Sequence, residues 1–153
     1  MSEALDVIVV DDDEMVCSVT ADLIKRYYMW GDVIKFTDVD EAARFCLERD
    51  VGVAIFVLDV FLKGKSGFLF LDAISEKYDM AYEDTIMVTG HASDDVVNMC
   101  LASNICHLLE KPVRPYAMQF AIRSIVNKYL TFAKRLIRDP NFAENVARLE
   151  LDV

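Results

Sequence analysis

Short runs of β-branched residues alternate along this chain with longer stretches whose apolar residues recur three and four positions apart, and that alternation leaves few folds open. Leu5 to Val10 reads as a buried strand, Asp13 to Met29 as a helix with Val16, Val19, Leu23 and Ile24 inward, and Val33 to Phe36 as a shorter strand; Gly31 and Asp32 turn between them. Asp38 is placed to cap a second helix carrying Ala42, Phe45 and Cys46. Val53 to Leu58 is a third apolar run, ending in Asp59 and followed by a Gly-bearing loop. Phe68 to Tyr78 gives the third helix, Ile86 to Val88 the fourth strand, Ser93 to Ser103 a helix with an acidic start, and Ile105 to Leu109 the fifth strand. Five strands in strict alternation with helices predict an α/β fold, a doubly wound five-stranded parallel sheet, because right-handed crossovers place helices on both faces. Functional groups then collect at the carboxyl ends of the strands.

From Pro115 to Arg138 neither Gly nor Pro interrupts, which predicts a fifth helix of about 36 Å at 1.5 Å per residue. A typical strand spans roughly 17 to 20 Å, so this helix must overhang the sheet. Met118, Ile122, Ile125, Tyr129, Phe132 and Leu136 form one apolar stripe, and Val126, Leu130, Ala133 and Ile137 another. One stripe can cover a sheet; the overhang calls for a further partner. Asp139 and Pro140 stop the helix, and Asn141 with Glu144 reads as the capping start of a short segment carrying Phe142, Val146 and Leu149.

The 153 residues carry 16 Lys plus Arg against 26 Asp plus Glu, a formal net charge of -10 that argues against generic nucleic-acid binding. The charge is divided along the chain. Residues 111 to 138 contain seven bases (Lys111, Arg114, Arg123, Lys128, Lys134, Arg135 and Arg138) and no acid. The expected role of this stretch is pairing with acidic surface on its own domain or on a second copy. No apolar run approaches the roughly 18 residues of a membrane span, and Met1 to Asp6 carries two acids and no base, unlike a signal peptide. A cytoplasmic protein without membrane contact is expected. Cys17, Cys46, Cys100 and Cys106 show no CxxC spacing and are read as free thiols. His91, Cys100, Cys106 and His107 lie close in sequence but fit no standard zinc spacing.

The chemistry is concentrated at the strand ends. Asp11, Asp12 and Asp13 follow the first strand and Asp59 ends the third. Were those strands neighbours, about 4.8 Å apart, each pair of carboxylates at about 4 Å would repel by roughly 4 kcal/mol at an effective dielectric of 20. Such a cluster needs a cation, and oxygen-only ligands favour a hard one such as Mg²⁺. Asp13 can be explained as a helix cap; the other acids cannot. Strand four ends in Thr89 before Gly90, and strand five is followed by Lys111 and Pro112. A metal site, a nucleophilic carboxylate, a hydroxyl and an ammonium opening on one crevice suit phosphoryl transfer to Asp.

Together VIVVDDDE at strand one, VLDVFLKGKSG with Gly67 eight residues after Asp59, IMVTG at strand four and LLEKPV at strand five resemble the receiver domain of a two-component response regulator, over residues 4 to about 130. The resemblance implies a flavodoxin-like sheet of strand order 2-1-3-4-5 with five helices, residues 1–130 as the receiver and 131–153 as a C-terminal helical extension. It implies that Asp59 is the phosphoacceptor, that Asp12, Asp59 and the Phe61 carbonyl hold Mg²⁺ with Asp11 acting through water, that Thr89 is the switch hydroxyl, that Lys111 pairs with phosphoryl oxygens and that the Lys111–Pro112 bond is cis. Such a chain takes its phosphoryl group from a histidine kinase or phosphotransfer protein, catalysing its own phosphorylation and dephosphorylation rather than turning over a diffusible substrate. Its partner binding then changes, or it dimerises through helices four and five, where basic helix five can face Asp94 and Asp95. Nothing in 139–153 fits a helix-turn-helix or cyclase, so the reading is of a stand-alone regulator if the sequence is the whole natural protein.

The sequence departs from the family pattern at three places. Lys63 stands where Pro is common, with Gly64 beside it. Leu108 takes a usually aromatic position, next to His107. Phe61 and His91 border the site at the positions that tune water attack, and a bulky Phe61 is expected to slow hydrolysis. Two other readings compete. A haloacid-dehalogenase-like phosphatase would use Asp11 as nucleophile with Asp13 two residues later, but explains neither Asp59 nor Gly67. A flavodoxin-like flavin binder would need amides and hydroxyls where three acids stand.

Overall fold

The computed structural model describes residues 5–151, with side chains for residues 5–149. In chain order the elements are β1 (Val7–Val10), α1 (Glu14–Lys25), β2 (Val33–Phe36), α2 (Val39–Glu48), β3 (Ile55–Asp59), β4 (Phe61–Leu62), β5 (Lys65–Ser66), α3 (Gly67–Ile74), β6 (Thr85–Thr89), α4 (Asp94–Ala102), β7 (His107–Glu110), α5 (Pro115–Arg138) and α6 (Pro140–Leu151). The main sheet is parallel throughout, in the order β2-β1-β3-β6-β7. Counting its strands alone, this is the expected 2-1-3-4-5 order, a flavodoxin-like α/β fold with a helical extension at the C-terminus.

The three central strands are buried along their whole length, as a parallel sheet covered on both faces requires. Phe56 of β3 anchors one side of the core, meeting Phe70 and Tyr78 edge-on at centroid distances of 5.9 and 5.4 Å. The chain divides into two compact units, one ending at Ala121 and the other beginning at Ile122, so the division falls inside α5. The first contains the whole sheet. Within the second, Phe132 meets Phe142 edge-on at 5.9 Å and the Arg135 guanidinium lies 4.5 Å from the Phe142 ring centroid. Among the described residues no helix is long and apolar enough to cross a membrane.

Several sequence expectations need correction. The inward face of α1 is Cys17, Ala21 and Ile24, continued by Tyr28, while Val19 is 63% exposed and Val16 and Leu23 are only half-buried. Periodicity alone favoured the bulkier stripe. The small Cys17 and Ala21 let the helix approach the sheet closely, which turns the valines outward. The helix also stops at Lys25, because Tyr27 and Tyr28 both donate backbone N–H to Ile24 O and tighten the last turn. Asp6 lies ahead of β1 as a buried carboxylate.

The Gly-bearing loop after Asp59 is a small antiparallel hairpin, β4 paired with β5, whose turn is Lys63–Gly64 with Gly64 at φ +67. α3 begins at Gly67 and ends at Ile74 rather than Tyr78; Lys77 and Tyr78 close a turn on Ile74 O. β6 gains one residue at each end, and β7 runs His107–Glu110, leaving Cys106 outside the strand. The final helix starts at Pro140. Its cap is Asp139, whose carboxylate accepts the Phe142 N–H at 3.1 Å, not Asn141.

Candidate functional site

Register brings the chemistry together. Val10 pairs with Leu58, Asp59 with Val88, and Thr89 with Glu110, so the residues that follow or end β1, β3, β6 and β7 emerge along one edge of the sheet. Asp11 and Asp59 are 5% and 8% exposed and Thr89 is fully buried. Oxygens of Asp11, Asp12 and Asp59 all lie within 4.8 Å of one another. Gly67 makes room for this: a Cβ there would stand 2.7 Å from Asp59 O, where β3 runs into the hairpin and α3.

Lys111 is the counter-charge. Its ammonium sits 2.9 Å from Asp11 Oδ2 and 2.8 Å from Asp59 Oδ2, and its backbone N–H donates to Thr89 O at 2.8 Å. The Lys111–Pro112 peptide is cis. Three further carboxylate oxygens are held by backbone donors. Asp11 Oδ1 accepts from Asp13 N–H at 2.9 Å, Asp59 Oδ1 from Phe61 N–H at 3.1 Å, and Asp12 Oδ2 from Lys63 N–H at 3.0 Å. Thr89 Oγ1 donates to His91 O at 3.1 Å and accepts the His91 N–H at 3.3 Å, so the hydroxyl is engaged with its own loop.

Three carboxylates against one ammonium leave an excess of negative charge, with Asp11 and Asp59 buried and Asp12 half-buried. Burial pushes the Asp11 carboxyl above its ordinary value despite the Asp13 N–H and Lys111, with the Asp59 charge adding to the rise. Burial works against the Lys111 ammonium, but its bonds to Asp59 and Asp11 prevail and hold its pKa above the usual lysine value. The donor set is all oxygen and mostly anionic, with the fit to a hard divalent cation that Mg²⁺ requires.

The Asp13 side chain takes no part in the cluster, although its backbone N–H holds Asp11 Oδ1. Its carboxylate caps α1, accepting from Met15 and Val16 N–H at 3.0 and 3.1 Å. The haloacid-dehalogenase-like arrangement thereby lacks its second acid. Among the described residues, the Asp set is the one group of three or more potential metal ligands, and His91, Cys100, Cys106 and His107 form none.

Sequence reasoning missed three features. The hairpin amide of Lys63 on Asp12 was signalled by the two-residue Lys63–Gly64 turn between short extended pairs. The out-turned face of α1, with Met15 and Val19 exposed, walls an apolar groove of about 570 Å³ that opens beside Lys111 and Pro112; the wrong choice of helix face concealed it. Glu110 lies within LLEKPV, a motif that assigns it no role, yet its Oε2 accepts the Ala92 N–H at 2.8 Å.

A family model described as the response regulator receiver domain matches residues 7–123. The transcriptional regulatory protein CitT of Halalkalibacterium halodurans is 24% identical over 135 residues, 88% of this chain and 58% of that protein, so the chain spans little more than half the length of this relative. A response regulator receiver domain protein from Clostridium thermocellum superposes with TM-score 0.71 at 20% identity, covering 84% of this chain and 98% of its own. The chemotaxis protein CheY4 of Vibrio cholerae does so with TM-score 0.68 at 19% identity, covering 79% of this chain and 98% of its own. At these identities the two structures speak to the fold.

Proposed function

We propose that this chain, which belongs to the family of response regulator receiver domains, accepts a phosphoryl group on Asp59 from a histidine kinase or histidine phosphotransfer protein and thereby switches its binding to a partner. The observation that carries the reading is the Lys111 ammonium shared between Asp11 and Asp59, with Asp12 within 4.8 Å and Thr89 at the end of the adjoining strand. Mg²⁺ would be held by Asp12, Asp59 and the Phe61 carbonyl, with Asp11 acting through water; bound there, it supplies positive charge to the oxygens of the group in transfer. An Asp59 oxygen forms the new O–P bond as the donor's P–N bond breaks and the imidazole leaves with the electron pair. Lys111 exchanges a carboxylate for a phosphoryl oxygen, keeping its charge compensated. The Thr89 hydroxyl gives up His91 O for another phosphoryl oxygen, which couples the new charge to the loop before α4. Phe61, two residues after Asp59 and 64% exposed, is the bulky side chain that would slow hydrolysis by shielding the acyl phosphate from water.

The chain is thus an acceptor that catalyses its own phosphorylation and dephosphorylation, not an enzyme with a diffusible substrate. Residues 1–130 form the receiver and 131–153 its extension, working in the cytoplasm without direct contact with nucleic acid or membrane. Dimerisation through α4 and α5 follows from the exposed Asp94 and Asp95 at the start of α4 and the acid-free basic run 111–138. The test is incubation with a phosphoramidate donor and Mg²⁺, then peptide mapping by mass spectrometry. Wild type gains a phosphoryl adduct at Asp59 and Asp59→Ala gains none. Modification of Asp11 with continuous turnover of a phosphate ester would favour the phosphatase instead.

A further inference from the structure

Thr89 and Glu110 face each other on the last rung between β6 and β7. Beyond that rung the chain leaves the sheet through Gly90, which is exposed and has nothing within 4 Å of where a Cβ would stand. Two side chains hold the loop that follows. Thr89 Oγ1 makes both of its bonds to His91, and Glu110 reaches across from the neighbouring strand so that its Oε2 accepts the Ala92 N–H at 2.8 Å. Ala92 immediately precedes Ser93, whose Oγ caps α4 by accepting the Val96 N–H at 3.3 Å. A shift of Ala92 therefore passes to the start of that helix.

A hydroxyl has one proton to donate. Once Thr89 gives it to a phosphoryl oxygen on Asp59, His91 O keeps only the Ser93 N–H of its own loop, at 3.1 Å, and one of the two side-chain bonds from sheet to loop is gone. We propose that Glu110 is a positioning residue for Thr89: its bond to Ala92 holds the loop between β6 and α4 in the resting place and must yield when Thr89 turns to the phosphoryl group. This rests on the reading of Asp59 as phosphoacceptor. A bond present only in the resting arrangement biases the equilibrium toward it, and removing that bond moves the population the other way. The two residues of β7 next to Glu110, Leu108 and Leu109, are aliphatic. The link from loop to sheet edge runs through Glu110.

The test uses the full chain, beryllium trifluoride with Mg²⁺ as the phosphoryl mimic, and amide hydrogen exchange at Ala92 in the absence of the mimic. Glu110→Ala is expected to bind the mimic about fivefold tighter than wild type, the net scale of one ordinary intramolecular hydrogen bond, and to exchange the Ala92 amide faster. Glu110→Gln keeps an oxygen acceptor without the charge and is expected to stay near wild type in both measurements. Affinity unchanged or weakened in Glu110→Ala overturns the proposal. So does Glu110→Gln binding as tightly as Glu110→Ala, because loss of charge rather than loss of the bond would then be responsible. Failure of wild type to bind the mimic rejects the phosphoacceptor reading and this inference with it, whereas wild-type binding with an unaltered Glu110→Ala rejects the loop tether alone.

Discussion

The two ends of the main sheet both bury acids, and they do opposite things with them. At the amino ends of the strands Asp6 meets Arg49 at 2.9 Å, with side chains 4% and 7% exposed. The other Asp6 oxygen accepts the Asp32 N–H at 2.8 Å, and Arg49 also donates to Val53 O and to the Tyr78 hydroxyl, which in turn donates to Cys46 O. One acid meets one base and the lone pairs are taken up locally. At the carboxyl ends three acids lie together and one lysine bonds two of them, Asp11 and Asp59, with Asp12 half-buried beside them. A balanced, satisfied pair fixes a structure; an unbalanced cluster holds a fold at a cost and leaves electrostatic capacity for a ligand.

That contrast can be broken by mutation. The largest effect is expected for Asp59→Ala, which should lose the phosphoryl adduct completely while remaining folded by circular dichroism. Next, Arg49→Met leaves Asp6 as an uncompensated buried charge and should cost about 3 kcal/mol in urea denaturation, with Mg²⁺ affinity unchanged in calorimetry. Asp12→Asn should do the reverse: it relieves like-charge repulsion and raises stability by about 1 kcal/mol, while Mg²⁺ affinity falls more than tenfold on the same instruments. If both variants lost stability alike, the two ends would not differ in kind.

A smaller effect is expected with pH. Burial pushes the Cys46 thiol from 9.0 up to about 11 and the Tyr27 hydroxyl from 10.0 up to about 12. Each group ionises first in the unfolded chain, which then binds fewer protons than the folded one, so stability falls as pH rises from about 9 toward 12. Lys111 acts in the same sense: its pairing is fully present below the ordinary lysine value and is lost as pH rises through its raised one. The urea midpoint should therefore drop between pH 8 and pH 10.5, and Cys46→Ala should flatten the slope. The smallest effect is chemical: a thiol reagent at neutral pH should label Cys106 alone in the folded protein, because Cys17, Cys46 and Cys100 are buried.

Most of the fold was legible because strand-helix alternation and the sheet's buried runs are local signals. Asp11, Asp12, Asp59, Thr89 and Lys111 were legible because each sits at a strand end, and a doubly wound sheet brings those ends together whatever the side chains are. What escaped depended on rotation, pairing or reach. The burial of Cys17 and Ala21 in place of Val16 and Val19 is a difference of one or two positions around a helix, decided by how closely α1 approaches the sheet. The partnership of Asp6 with Arg49 joins residues 43 apart and has no pattern of its own. Glu110 reads as an ordinary strand-end acid until the loop it holds is in place.

The most direct test of the central claim is a crystal grown with Mn²⁺ and beryllium fluoride. The anomalous signal should lie among Asp11, Asp12 and Asp59, with the fluoroberyllate on Asp59 and its fluorines at Thr89 Oγ1 and Lys111 Nζ. A metal bound elsewhere, or an adduct on Asp11, would contradict the account.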